Sequence, residues 1–158
     1  MMNDNPFNEY LKILEQICAE LEHLSEVAKQ KTDAVRHSDL TVLDQVMRQE
    51  QAATLTFRGL EQKQNTLLHA MGLQGTTLSS LPEIFPPKMR LDAKQVVEKL
   101  QKQYQIYRNC SEVARNTLER SLHEIDQIVA RSVQPADGPG YQAKDPDIPT
   151  GMKTDFRA

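Results

Sequence analysis

From Phe7 to Leu81 the chain contains no proline, and along that stretch its apolar residues recur at alternating steps of three and four. Proline inside a helix removes a backbone donor and clashes with the preceding turn, so long helices fit only between such marks. Pro82, Pro86 and Pro87 cluster in one connector, and Pro135, Pro139, Pro146 and Pro149 crowd the last segment. The pattern predicts three long helices, two before the connector and one after it.

In the first helix Phe7, Tyr10, Leu14, Ile17, Leu21, Leu24, Ala28, Lys31 and Val35 form one narrow stripe, the seam of a coiled coil. His37, Ser38 and Asp39 interrupt it, with Ser38 or Asp39 placed to cap the next helix. The second stripe comprises Leu43, Val46, Glu50, Ala53, Phe57, Leu60, Gln64, Leu67 and Met71. A turn at residues 36 to 38 folds one stripe onto the other as an antiparallel hairpin and sets Tyr10 opposite Gln64, Leu24 opposite Glu50 and Lys31 opposite Leu43. Glu50 and Gln64 are out of place in a dry seam. Gly59 costs the second helix about 1 kcal/mol relative to alanine and predicts a weaker or bent rod; Gly72 supplies its stop.

Residues 72–90 read as a connector in which Ser79 or Ser80, followed by Pro82 and Glu83, starts a short helical turn. A third helix then runs from about Leu91 to Ser132 on Val97, Leu100, Tyr104, Tyr107, Ser111, Ala114, Leu118, Ser121, Ile125 and Ile128. At 1.5 Å per residue it is roughly 60 Å long against roughly 45 Å for the first, so part of it must overhang the hairpin. Leu122 and Val129 widen its apolar arc near the end. The expected fold is an all-α, elongated antiparallel bundle of about three long helices over residues 1–132. Residues 133–158 hold four prolines and three glycines and read as a disordered tail, dotted with Tyr141, Ile148, Met152 and Phe156.

Composition narrows the function. Trp is absent, only four Tyr and four Phe occur, and Gly is down to six, which disfavours sheet-rich classes. The net charge of -3 divides into 7 basic against 11 acidic groups over residues 1–72, 9 against 7 over 73–132 and 3 against 4 over 133–158, leaving no basic surface for nucleic acid. No apolar run approaches the roughly 18 residues of a membrane span, and the start has no signal-peptide pattern, so a soluble cytoplasmic protein without membrane insertion is expected. Cys18 and Cys110 sit in periodic segments as expected buried spectators. Glu20 and His23 make a Glu-x-x-His step like that of di-metal bundles, but the step occurs once where two are needed, so no metal or other cofactor is expected. Phosphate-binding loops and nucleophile motifs are lacking, and the chain reads as a binding protein, not an enzyme.

Several phrases, in order and spacing, give a resemblance: LKILEQI at 11–17 with LEHL at 21–24, HSDLTVL at 37–43, MGL at 71–73 with TLSSL at 77–81, NTLERSL at 116–122, and Tyr141 in the tail. The chain resembles the FlgN-type flagellar export chaperones, departing from them in that Asn109 and Asn116 stand seven residues apart where members often have asparagines close together. The resemblance implies a cytoplasmic type III export chaperone that binds helical ends of hook-filament junction proteins, keeps them from premature assembly and presents them to the export gate. Leu118, Leu122, Ile125 and Val129 are the candidate cargo anchors, and Tyr141 the candidate gate contact. The expected state is a monomer or weak homodimer. The rival reading is a structural or adaptor coiled-coil homodimer in which the same stripes close on a second copy and no cargo exists.

Overall fold

The computed structural model describes residues 5–132. Three long helices dominate it: α1 (Asn5–Arg36), α2 (Leu40–Ala70) and, after the short α3 (Leu81–Ile84), α4 (Arg90–Ser132). No strand occurs among the described residues. With 43 residues α4 is about 64 Å long, against about 48 Å for the 32 residues of α1.

The hairpin forms as its stripes require. Every seam residue of α1 from Tyr10 to Val35 is buried, with Phe7 half-buried at the open end. Asp39 caps α2, its carboxylate accepting the Val42 N–H at 3.1 Å. Ser38 does not cap; it takes a left-handed φ of 53° that ends α1, where Asp39 N–H reaches Ala34 O and Ser38 N–H reaches Val35 O. Gly72 ends α2 the same way at φ 72°, with Leu73 N–H on Leu68 O. Here glycine carries no Cβ penalty.

The two polar residues in the α2 stripe have partners. Gln64 Nε2 donates to the Tyr10 hydroxyl oxygen at 2.8 Å, in the register expected for that pair. Glu50 binds across the seam as well: its carboxylate accepts from the Lys31 ammonium at 3.2 Å. The long lysine stem carries its charge to that carboxylate, because a buried ammonium without a counter-charge is costly.

Gly59 leaves α2 unbroken from Leu40 to Ala70, so the expected bend does not interrupt it. A Cβ there would meet nothing within 4 Å. Gly59→Ala is therefore expected to stabilise the fold by about 1 kcal/mol, seen as a thermal midpoint raised by a few degrees. An unchanged or lowered midpoint would refute it.

The third rod differs from a simple antiparallel neighbour. Cys18 Sγ makes a weak bond to Lys99 O at 4.0 Å, and Gln103 Nε2 reaches Ser25 Oγ at 3.4 Å. Further along, Lys29, Thr32 and Arg36 share a groove with Asn109, Cys110 and Val113. Rising numbers in α1 meet rising numbers in α4, so these two helices run parallel. Helix α1 is the middle rod, packed against α2 on one side and α4 on another, while α2 and α4 scarcely touch. Cys18, Ser25 and Thr32, spaced by seven, are buried and small, which lets α4 approach closely. The hydroxyls of Ser25 and Thr32 donate to the carbonyls of Leu21 and Ala28 one turn back, so burial leaves neither unsatisfied.

The connector is part of the core. Leu78, Leu81, Phe85 and Met89 are buried at the open end of the hairpin. The ring of Phe85 sits 4.9 Å from that of Phe7 and 6.3 Å from that of Tyr10. The short turn falls where expected, as a 3-10 turn over Leu78–Ser80 leading into α3, with proline at its start but no capping bond from Ser80.

Candidate binding surface

Ala114 is the last buried residue of α4. From Arg115 to Ser132 the helix runs on for about 27 Å, past the level of the hairpin turn, because Arg36 at the end of α1 already lies by Val113. Burial fades along this overhang in a fixed order: Leu118 and Leu122 are half-buried, and every residue from His123 to Ser132 is exposed. Ile125 is 53% exposed, Ile128 62% and Val129 50%. These residues continue the stripe that α1 covers lower down, through Val97, Leu100, Tyr107 and Ala114. The overhang thus gathers Leu118, Leu122, Ile125 and Val129 on one helix at steps of three and four. Its charges are partly matched within the helix, as in the 3.1 Å pair of Arg115 and Glu119, so aliphatic contact is what the face offers a partner. Tyr141 and the tail expected over 133–158 lie outside the described residues.

Other candidates are placed differently. Cys18 is buried, and burial pushes its thiol up, away from the reactive thiolate. Cys110 departs from expectation: it is only half-buried, since it faces the groove beside Val113 instead of the packed line of α1. Glu20 Oε2 and His23 Nδ1 are 2.8 Å apart and bonded to each other, with the imidazole mostly in solvent. Among the described residues no group of three His, Cys, Asp or Glu side chains is placed to hold a metal ion. No helix among them is long and apolar enough to cross a membrane.

The strongest electrostatic effects lie in the core. Burial pushes the Tyr10 hydroxyl up to about 12, the bond from Gln64 opposing it. Burial also raises Tyr107, with Ser111 opposing and the Glu50 carboxylate adding to the rise. A group that holds its proton more tightly when folded gives stability that is whole below its unfolded pKa and is lost as pH climbs through its folded one. For Tyr10 that window runs from the ordinary 10.0 to about 12. The thermal midpoint is expected to fall across it, with a shallower slope in Tyr10→Phe. Equal slopes in the two proteins would show that Tyr10 is not the source.

One feature lies outside both stripes. Leu40 and Met47, at the start of α2, are 76% and 41% exposed and belong to neither seam. Their steps of three and four through Leu43 are a signal in the sequence, but Leu43 also fits the hairpin stripe, which masks it.

The FlgN family model, described as FlgN protein, matches residues 1–144. The chain belongs to the FlgN family. That is a family of flagellar export chaperones, and the match spans every described helix and runs past Tyr141. Comparison with curated proteins and with solved structures gave no match.

Proposed function

We propose that this FlgN-family protein is a cytoplasmic flagellar type III export chaperone, without enzymatic activity, whose cargo is the hook-filament junction proteins. A helical segment of the cargo lies along the α4 overhang on Leu118, Leu122, Ile125 and Val129, which keeps it from assembling early, and the loaded chaperone presents it to the export gate. Tyr141 contacts the gate. The observation that supports this reading is the continuation of the α4 stripe past the hairpin turn: aliphatic residues at helical spacing that go from half-buried at Leu118 and Leu122 to exposed at Ile125 and Val129. An amphipathic helix is the element whose apolar face fits such a surface. Each large side chain buried there contributes about 1.5–3 kcal/mol before ordering costs, so four anchors support binding that still releases.

The test is capture of purified junction proteins by the tagged, full-length chain. Stoichiometric retention is expected. A chaperone that retains neither junction protein, and that light scattering finds as a concentration-independent dimer, would instead be the adaptor homodimer.

A further inference from the structure

A second apolar line runs along α4 on a different flank from the stripe of Leu118 and Ile125. Ile106, Cys110 and Val113 follow one another at steps of four and three, with Ile106 37% and Val113 47% exposed. Across from Cys110 and Val113, α1 contributes Lys29, Thr32, Asp33 and Arg36, and the two helices leave a groove of about 370 Å³ between them. The groove has a sign. Lys29 and Arg36 stand on its α1 edge, while on α4 Lys102 lies one turn below Ile106 and Arg120 two turns above Val113. Only Glu26 and Asp33 oppose these cations from α1, and Glu26 holds Lys29 loosely, at 3.9 Å. An aliphatic floor with a cationic rim suits an extended acidic segment that carries an apolar side chain.

Residues 133–158 contain one. Asp145-Pro146-Asp147-Ile148-Pro149 sets two carboxylates and an isoleucine on backbone that its prolines bias toward extension. The chain is long enough to bring it there. From Val113 to Ser132 α4 rises about 28 Å, and residues 133–144 span up to about 40 Å when extended, so Asp145 reaches back to the level of the groove.

We infer that residues 145–148 dock in the groove between α1 and α4 of their own chain, with Ile148 on the floor of Ile106, Cys110 and Val113 and the two aspartates toward Lys29 and Arg36. Exposed ion pairs are individually weak, which favours a tethered occupant: the linker gives residues 145–148 an effective concentration of order millimolar, and no free partner has that advantage. Docked, the tail runs back along α4 and lays Tyr141, about 13 Å before Asp145, beside the overhang. The candidate gate contact is then covered until the tail is released. That consequence rests on the functional reading above; the docking does not.

Cys110 reports on the groove, and the buried Cys18 is its internal control. The full-length chain, free of any partner, is treated with a maleimide and the labelling of each thiol followed by peptide mass spectrometry. Four proteins are compared: wild type, Asp145→Lys with Asp147→Lys, Lys29→Asp with Arg36→Asp, and all four changes together. Lys29 and Arg36 are exposed, and melting curves check that the fold is kept; should the α1 variant fail to fold, the tail variant decides alone. Each double variant is expected to label Cys110 at least about tenfold faster than wild type, because the tether's advantage is lost with its contacts. Salt at about 1 M should have the same effect on wild type, and the fourfold charge swap should restore slow labelling, with Cys18 slow throughout. A tail variant that labels Cys110 as slowly as wild type overturns the docking. So does a wild-type rate that falls as protein concentration rises, which would make the cover a second copy. Junction proteins play no part in this measurement: a chain that captures none loses the consequence for Tyr141 and keeps the docking, while a failed docking leaves the functional reading standing.

Discussion

Replacing Phe85 with alanine will cost the fold about 3–5 kcal/mol, the range for emptying a buried aromatic site. Phe85 is 2% exposed and lies in the connector, not in any long helix. Its ring fills the space against Phe7 and Tyr10 where α1 begins, and its carbonyl receives the Arg90 Nε–H at 3.0 Å as α4 starts. No helix can slide in to close the gap, because the rods are fixed by seams elsewhere. With a typical total stability of about 5–15 kcal/mol, such a loss leaves a marginal protein, and chemical denaturation should show its midpoint collapsing. Phe57→Ala in the hairpin seam should cost a similar amount, since Phe57 is fully buried. A Phe85 variant as stable as wild type would mean that the connector merely lies against the bundle.

The second large effect is on binding. Ile125→Asp with Val129→Asp places two carboxylates where a cargo helix would bury aliphatic side chains, and burying an unpaired charge is far costlier than losing a contact. Capture of junction proteins should fall below detection. The thermal midpoint should not move, because both positions lie in the exposed stretch of α4 that no other described helix covers. Ala114→Asp, a few turns earlier on the same helix, should do the opposite. That residue is 3% exposed where α4 still packs on the bundle, so the variant should lose stability first. If all three positions behaved alike, the boundary between seam and overhang would be in the wrong place.

Much of the candidate surface is legible in the sequence, because an overhang follows from comparing helix lengths and its apolar character from the residues after Ala114. Burial is less legible, because a periodic stripe reports how apolar residues are spaced, not which neighbour they meet. Cys110 illustrates the same limit: its position in a periodic segment predicts burial, and a groove left between α1 and α4 keeps it partly open.

What the sequence by itself determined is local. The alternating step of three and four fixed the inward line of α1 from Tyr10 to Val35, and the ends of the rods followed from Asp39, Gly72 and the prolines, because hydrogen bonding within a helix and its caps involves only near neighbours. The tertiary structure decided which rod lies in the middle, that α4 runs parallel to α1, and that Leu78, Leu81, Phe85 and Met89 are core. The small line of Cys18, Ser25 and Thr32 explains the first of these, the middle place of α1. Small polar residues do not register as an apolar face, yet they permit the closest approach of two helices, and dispersion summed over that close contact outweighs the weak hydropathy of each residue.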